Sequence, residues 1–252
     1  MISSLARKDL RAYVALLASK GQTLDSTARD RLYAGAKALY SLLGRVDFFP
    51  IRDNVGSGTA LYTFRGKTAT LVGSPAWVSS GIQNSGSGSI VFTDFVWNPT
   101  AHTVLCGITQ TNPGGLNQCV AAVGDAISTG NGVRFKAIED GATLDCLLYA
   151  GVWGTYLRIP WSMSAKSCGY SYTPSRHRVY RDTAMGVNNA PTSLSGGASI
   201  NRLSLMAFDD SNGRGQHFIG RIHFAIILPV ELSQTQYEAL VDIYTSTFGA
   251  GL

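Results

Sequence analysis

The feature that most constrains this chain is a rhythm of chain-reversing clusters from residue 46 onward. Asn54-Val55-Gly56-Ser57-Gly58, Arg65-Gly66-Lys67, Gly73-Ser74-Pro75, Asn84-Ser85-Gly86-Ser87-Gly88, Asn112-Pro113-Gly114-Gly115, Thr129-Gly130-Asn131-Gly132, Asn188-Asn189, Ser195-Gly196-Gly197 and Asp209-Asp210-Ser211-Asn212-Gly213 follow in turn. Glycine admits positive φ, and Asn, Asp and Ser side chains bond their own backbone, so such clusters reverse a chain. Between them lie short runs rich in Val, Ile, Thr and aromatics: Leu61–Phe64, Ile90–Phe92, Thr103–Ile108, Leu144–Tyr149 and Leu203–Phe208. Reversals about every 8–12 residues around short β-prone runs are the pattern of an antiparallel sandwich or barrel. The clearest strand is Phe218–Ile227. Simple alternation puts Phe218, Gly220, Ile222, Phe224 and Ile226 on one side, and Ile219, Arg221, His223, Ala225 and Ile227 on the other.

Both chain ends read differently. Leu5, Leu10, Tyr13 or Val14, and Leu17 form one helical stripe, which Gly21 ends as a cap would. Thr23, Asp25 and Ser26 offer N-cap side chains for a second stripe of Leu32, Ala36, Leu39, Tyr40 and Leu43, closed by Gly44. Arg7, Lys8, Arg11, Arg29, Arg31 and Lys37 occupy the polar face. Two helices cannot bury their stripes alone, so residues 1–45 must dock on the rest of the chain or on a partner. They are expected to anchor or oligomerise it. Near the other end, Ser233-Gln234-Thr235-Gln236 has the form of a capping box, with Leu232 and Tyr237 at the staple positions. Tyr237, Leu240, Val241, Tyr244 and Phe248 then form a stripe, and Gly249 follows as a terminal glycine.

Composition narrows the functional classes. The 252 residues are 45% hydrophobic with a formal net charge of only +5, which excludes a disordered chain. Charged residues make up just 15%, and no basic stripe with interleaved aromatics occurs, so no nucleic-acid partner is expected. The densest basic stretch, Arg176-His177-Arg178 with Arg181, reads as a solvated turn. The first residues contain no apolar core of signal-peptide length, and no run reaches the ~18 apolar residues of a membrane span, so no membrane insertion is expected.

No catalytic or metal motif emerges. Cys106, Cys119, Cys146 and Cys168 match no zinc spacing and read as buried thiols. Cys106 and Cys119 flank a hairpin expected at 112–115 and would then approach each other across strands. His217 and His223 share strand parity but stand six residues apart, about 20 Å along a strand, too far to share a metal. Gly66-Lys67-Thr68 ends like a phosphate-binding loop, but Leu61 stands where its first glycine is needed, so a hairpin turn is expected. The oxygens of Asp209–Gly213 suit calcium, yet the bidentate Glu of a calcium loop does not follow, and a tight turn explains them. No serine has the glycine flanks of a nucleophile elbow. No cofactor is expected. The cluster most suggestive of ligand binding is Trp153, Tyr156, Arg158 and Trp161: aromatic faces stack on sugar faces and an arginine fork bonds hydroxyls or carboxylates. The two tryptophans are also what a sandwich core would contain, and a place in the core or at a subunit interface is the leading reading.

The stretch from Phe218 to Ile227, with Leu232-Ser233 opening a helix, resembles the closing strand of the concanavalin A-like (LamG-like) jelly roll. Val179–Asp182 to Gly186, followed by Leu203–Met206, resembles the paired strands before it. With the helical stretch at Thr27–Leu43, the arrangement is similar to structural proteins of tailed bacteriophages. The resemblance implies a lectin-like sandwich used for attachment to a particle or a glycan. Glucanases of that fold use a Glu-x-Asp-x-(x)-Glu strand, and here the three glutamates, Glu139, Glu231 and Glu238, form no such motif. Asp145, and Asp94 before Phe95 and Trp97, are the remaining candidate carboxylates.

The expectation is therefore a mainly β, antiparallel jelly-roll sandwich (residues 46–252) with an N-terminal helical segment (1–45) and a short C-terminal helix. Its expected function is that of a non-enzymatic virion protein, a surface decoration or tail subunit, assembled in the host cytoplasm. Other capsid or tail proteins and further copies of the chain would be its partners. The alternatives are a carbohydrate-binding adhesin for host glycans, or a glycan-cleaving enzyme with an unrecognised site.

Overall fold

The computed structural model describes residues 1–54, 58–92, 100–111, 118–125, 131–140, 143–150, 156–160, 162, 164–189, 203–210, 213–215 and 217–252. Helices α1 (Ile2–Ser19) and α2 (Ser26–Leu43) come first. Gly21 and Gly44 take positive φ of 73° and 75°, ending them as expected, and the Asp25 carboxylate caps α2 by accepting the Ala28 amide at 2.7 Å.

The strands follow: β1 (Phe48–Phe49), a 3-10 turn at Ile51–Asp53, β2 (Ala60–Tyr62), β3 (Thr68–Val72), β4 (Ala76–Val78), β5 (Gly81–Asn84), β6 (Ser89–Phe92), β7 (His102–Gln110), β8 (Gln118–Asp125) and β9 (Asn131–Asp140). Then come β10 (Thr143–Ala150), β11 (Tyr156–Pro160), β12 (Ser167–Thr173), β13 (Arg176–Arg181), β14 (Ala184–Asn188), β15 (Leu203–Leu205), β16 (Phe208–Asp210), β17 (Gly213–Gly215) and β18 (Gly220–Leu228). Helix α3 (Gln234–Ser246) closes the chain with the predicted capping box on Ser233 and Gln236.

Two antiparallel sheets face each other. The first runs β14-β13-β12-β7-β18-β5-β4, with β1 paired to β18, and the second β11-β10-β9-β8-β15-β6-β3-β2. This is the expected mainly β sandwich. Between the sheets lies a core that includes Leu71, Ile90, Phe135, Tyr170, Leu205 and Ile222. A second apolar cluster lies on the other face of the first sheet. There Leu105, Phe224, Ile226 and Leu228 meet Tyr13 and Leu17 of α1, Leu32 and Leu39 of α2, and Tyr237, Leu240 and Tyr244 of α3. The stripes of residues 1–45 are thus covered by this chain's own sheet and need no second copy to bury them. Two glycines permit the close approach. A Cβ on Gly35 would meet the Phe248 ring at 2.2 Å, and one on Gly107 the Tyr244 ring at 2.2 Å.

Several local expectations are corrected. In β18 the pairing shifts between Ile222 and Phe224, a bulge at His223. One extra residue inverts the alternation, so Ile222 and Ala225 face the inter-sheet core while Phe224, Ile226 and Leu228 face the helices. Leu203–Phe208 is not one strand: Met206 takes φ 66°, and β15 and β16 separate there. β15 pairs β6 and β8 rather than the β13–β14 pair. β7 and β8 are not a hairpin but members of opposite sheets, so Cys106 and Cys119 do not pair across strands. Cys106 instead opposes Cys168 of β12. Cys106, Cys119 and Cys168 are buried thiols, and burial pushes Cys106 up to about 12. Arg31 leaves the solvated face of α2 to pair with buried Asp53.

Candidate functional site

The strand that carries half of the predicted ligand cluster is β11, the edge strand of the second sheet. Its register sets Tyr156 opposite Tyr149, Arg158 opposite Leu147 and Pro160 opposite Asp145 of β10. β10 in turn sets Tyr149 opposite Arg134 and Leu147 opposite Lys136 of β9. Arg158 is exposed, whereas Leu157 packs on the inter-sheet core and Ile159 is buried in it. That alternation is why the strand lies flat on the sandwich and still presents a polar position outward. Gly186 of β14 lies against it, since a Cβ there would meet Ile159 Cγ2 at 2.7 Å. The Arg181 guanidinium donates to the Pro160 carbonyl. The edge of one sheet is thereby tied to the edge of the other. Tyr156 and Arg158 thus come together, two positions apart on one anchored strand. Trp153 and Trp161 lie outside the described residues.

The other singled-out residues have structural places. Arg176-His177-Arg178 is the strand β13 and not a solvated turn. The Arg176 guanidinium donates twice to the Glu231 carboxylate, at 2.7 and 2.7 Å, and Arg178 donates to the same group and to the Leu232 carbonyl. Arg176, with burial opposing it and Arg178 aiding it, holds Glu231 below the usual carboxylate range. Glu238 accepts from Gln234 on α3. Glu139 lies near the end of β9, opposite Leu144, and Asp140 pairs Thr143 across residues 141–142. Asp145 lies on β10 and Asp94 outside the described residues. Residues 63–67 join β2 to β3 as the expected hairpin, with the Thr63 amide donating to the Lys67 carbonyl at 2.8 Å. Asp210 and Gly213 pair across residues 211–212, so the acidic run joins β16 to β17. Among the described residues, no group of three His, Cys, Asp or Glu side chains could hold a metal.

Sequence reasoning missed four buried polar groups: Asp9, Asp53, His102 and His177. The Asp9 carboxylate accepts from the Tyr40 hydroxyl at 2.6 Å and from the Arg45 fork at 2.8 and 2.5 Å. Its signal was present, because Asp9 stands three residues after Ala6 and four before Tyr13, on the apolar stripe itself. His102, Tyr172 and His177 form a ladder of rings with centroids 5.1 and 4.8 Å apart. Burial holds His177 down to about 4. This ladder could not be read from strand patterns, since each ring comes from a different strand.

No family model and no curated protein matches this sequence. Solved structures do match in fold. A Trypanosoma rangeli sialidase in complex with 2,3-difluoro-KDN is 13% identical with a TM-score of 0.60, over 80% of this chain and 33% of that one. The same enzyme as a covalent intermediate with 2,3-difluorosialic acid is 11% identical at 0.54, over 87% and 39%. The binding domain of botulinum neurotoxin serotype C1 is 10% identical at 0.51, over 78% and 51%. The chain spans about a third of the sialidases' length and half of the toxin domain's. These identities show the fold alone. Nothing in them points to a bacteriophage particle. They do overturn the expectation of a non-enzymatic chain, because this sandwich occurs within sialidases and its fold gives no ground for excluding catalysis. What is shown is a mainly β antiparallel sandwich, sealed on one outer face by helices from both chain ends.

Proposed function

We propose that this chain is a glycan-recognising sandwich module whose saccharide lies along β11 and its flanks. The observation that carries this reading is the exposed Arg158, placed outward by Leu157 and Ile159 in the core and two positions from Tyr156. A guanidinium on an anchored strand is a fixed fork for hydroxyls or a carboxylate. Tyr156, with Trp153 and Trp161 on either side in sequence, supplies ring faces for stacking. The likeness to sialidases, one of them bound to sialic acid, and to a toxin binding domain supports the choice of ligand class. The sequence resemblance of Phe218–Ser233 supplies the context, an attachment protein of a virion acting with other particle proteins.

The test is a glycan array probed with the full chain and with Arg158→Ala and Trp153→Ala. A defined set of glycans should be retained, and each variant should weaken it about tenfold, the cost of losing one charged hydrogen bond or stacked ring. Melting temperatures should not move. Sialic acid release from the retained glycans, measured in parallel, reads catalysis directly. An array without retained glycans sinks the proposal, and unlabelled particles in immunogold microscopy sink its virion context.

A further inference from the structure

A cavity of about 330 Å³ opens between α1 and the β2–β3 hairpin. It lies on the helix-bearing side of the molecule and owes nothing to β11. Its walls divide by chemistry. Ala12, Leu16 and Phe64 form an apolar side, and Lys8, Arg45 and Arg65 bring three cations. Gly66, at φ 89°, turns the hairpin tip beside Leu16.

The charges do not balance within the walls. Asp9 is the sole carboxylate among the lining residues, and Arg45 already grips it with both ends of its fork while Tyr40 donates a third hydrogen bond. The nearby Asp47 carboxylate turns into the hairpin, accepting the Phe48 amide at 3.0 Å, the Arg65 amide at 2.9 Å and the Thr63 hydroxyl at 2.8 Å. Lys8 and Arg65, both exposed, therefore bring positive charge to the cavity beyond what the lining carboxylate neutralises.

Tyr13 is also among the lining residues; it is 1% exposed, and its ring packs against Phe64 with centroids 5.4 Å apart.

We propose that this cavity binds a small organic anion, its carboxylate or phosphate against Lys8 and Arg65 and its body on Ala12, Leu16 and Phe64. The cavity volume falls in the range of small-molecule sites. An acidic monosaccharide has the required parts: one charged group and an apolar ring face.

The test uses the full chain labelled with nitrogen-15 and three probes: glucuronate, glucose and inorganic phosphate. Glucuronate should shift the amides of residues 8–16 and 64–66 saturably and leave those of 156–160 in place. Glucose should not shift them, and phosphate should compete with glucuronate. Lys8→Met and Arg65→Met should each raise the dissociation constant about tenfold, as expected for a lost charge-assisted hydrogen bond. Equal binding of glucose and glucuronate overturns the proposal. So does the absence of saturable shifts at residues 8–16 and 64–66, or glucuronate affinity untouched by both Lys8→Met and Arg65→Met. Failure of the β11 reading would leave these amide shifts unaffected, and their failure would leave that reading intact.

Discussion

The two sheets face each other, but their strands are covered to different extents. In the first, β7 is buried at every position but Thr109, and β18 is buried at Phe224, Ala225 and Ile226 in succession. In the second, the outer strand β3 alternates, with Thr68 and Thr70 exposed and Ala69 and Leu71 buried, while the central β15 is buried at all three of its positions. Alternation marks a strand with one wet face, and continuous burial a strand covered on both. The covering layer comes from both chain termini, as α1 and α2 from one end and α3 from the other pack on the same sheet. The molecule is therefore three layers deep on one side. Its second sheet keeps solvent-facing positions, among them Arg158.

That contrast is broken most directly at Phe224. Its ring stacks on Phe248 with centroids 4.6 Å apart and also meets Tyr244 at 5.7 Å and Phe48 at 5.8 Å. Phe224→Ala should cost about 3–5 kcal/mol in urea denaturation. In hydrogen exchange, α2 and α3 should lose protection before the second sheet does. A cost below about 1 kcal/mol would mean that the helices are an appendage and not a layer.

Next in size is a pH effect inside the sandwich. His177 is 4% exposed and burial holds it to about 4, well below the ordinary value of an unfolded chain. Below pH ~6.5 the unfolded chain binds a proton that the folded one refuses, so stability falls as pH drops from about 6.5 towards 4. His177→Phe keeps a ring against Tyr172 and removes the titration. Melts across that window should show the variant losing on the order of 2 kcal/mol less than the parent. His223, also held down by burial, retains its smaller share in both proteins. Parallel pH profiles would show that His177 is solvated in the native state.

A third, smaller effect tests how far the helical layer depends on its own caps. Ser233 accepts the Gln236 amide at 3.2 Å, and the Gln236 side chain accepts the Ser233 amide at 3.0 Å. Ser233→Ala should cost about 1 kcal/mol by thermal denaturation. Loss comparable to that of Phe224→Ala would place the stability of α3 in its first turn and not in its packing.

The capping signals were legible in the sequence because they are local. Asp25, Gly21, Gly44 and Ser233 act within a few residues of themselves, and the β2–β3 hairpin is set by its own tip. What was not legible is long-range. The Asn84–Gly88 and 112–115 clusters have equal claims to be hairpin turns, but β5 and β6, like β7 and β8, belong to opposite sheets. Asn84 shows why a turn sequence is no guide here. Its carbonyl oxygen accepts the amides of Gly86, Ser87 and Gly88, while its amide nitrogen donates to the Gly88 and Met206 carbonyls. The corner is thus anchored to a residue more than a hundred positions away. The bulge at His223 left no pattern that alternation could detect, and it moved Phe224 and Ile226 to the helix side. The candidate sites divide in the same way. Tyr156 and Arg158 were visible as a cluster because they share a strand. The cavity of Lys8, Tyr13 and Arg65 was not, because it joins two segments about fifty residues apart.

The smallest effect should come from the outer face of the second sheet, and it sharpens the comparison by symmetry. Thr70 stands on β3 opposite Val91 of β6 and is exposed, while Leu71 beside it is buried in the inter-sheet core. A lysine at position 70 has solvent to reach, so Thr70→Lys should change stability by no more than about 0.5 kcal/mol. The same side chain at Ile226, on the outer face of the first sheet, would place an uncompensated charge among Phe48, Leu105 and α3, and should unfold the helical layer. If Thr70→Lys instead proves as damaging as Ile226→Lys in thermal melts, the second sheet has a covering layer of its own. A ligand site on β11 would then have to lie at the rim of that layer and not on an open face.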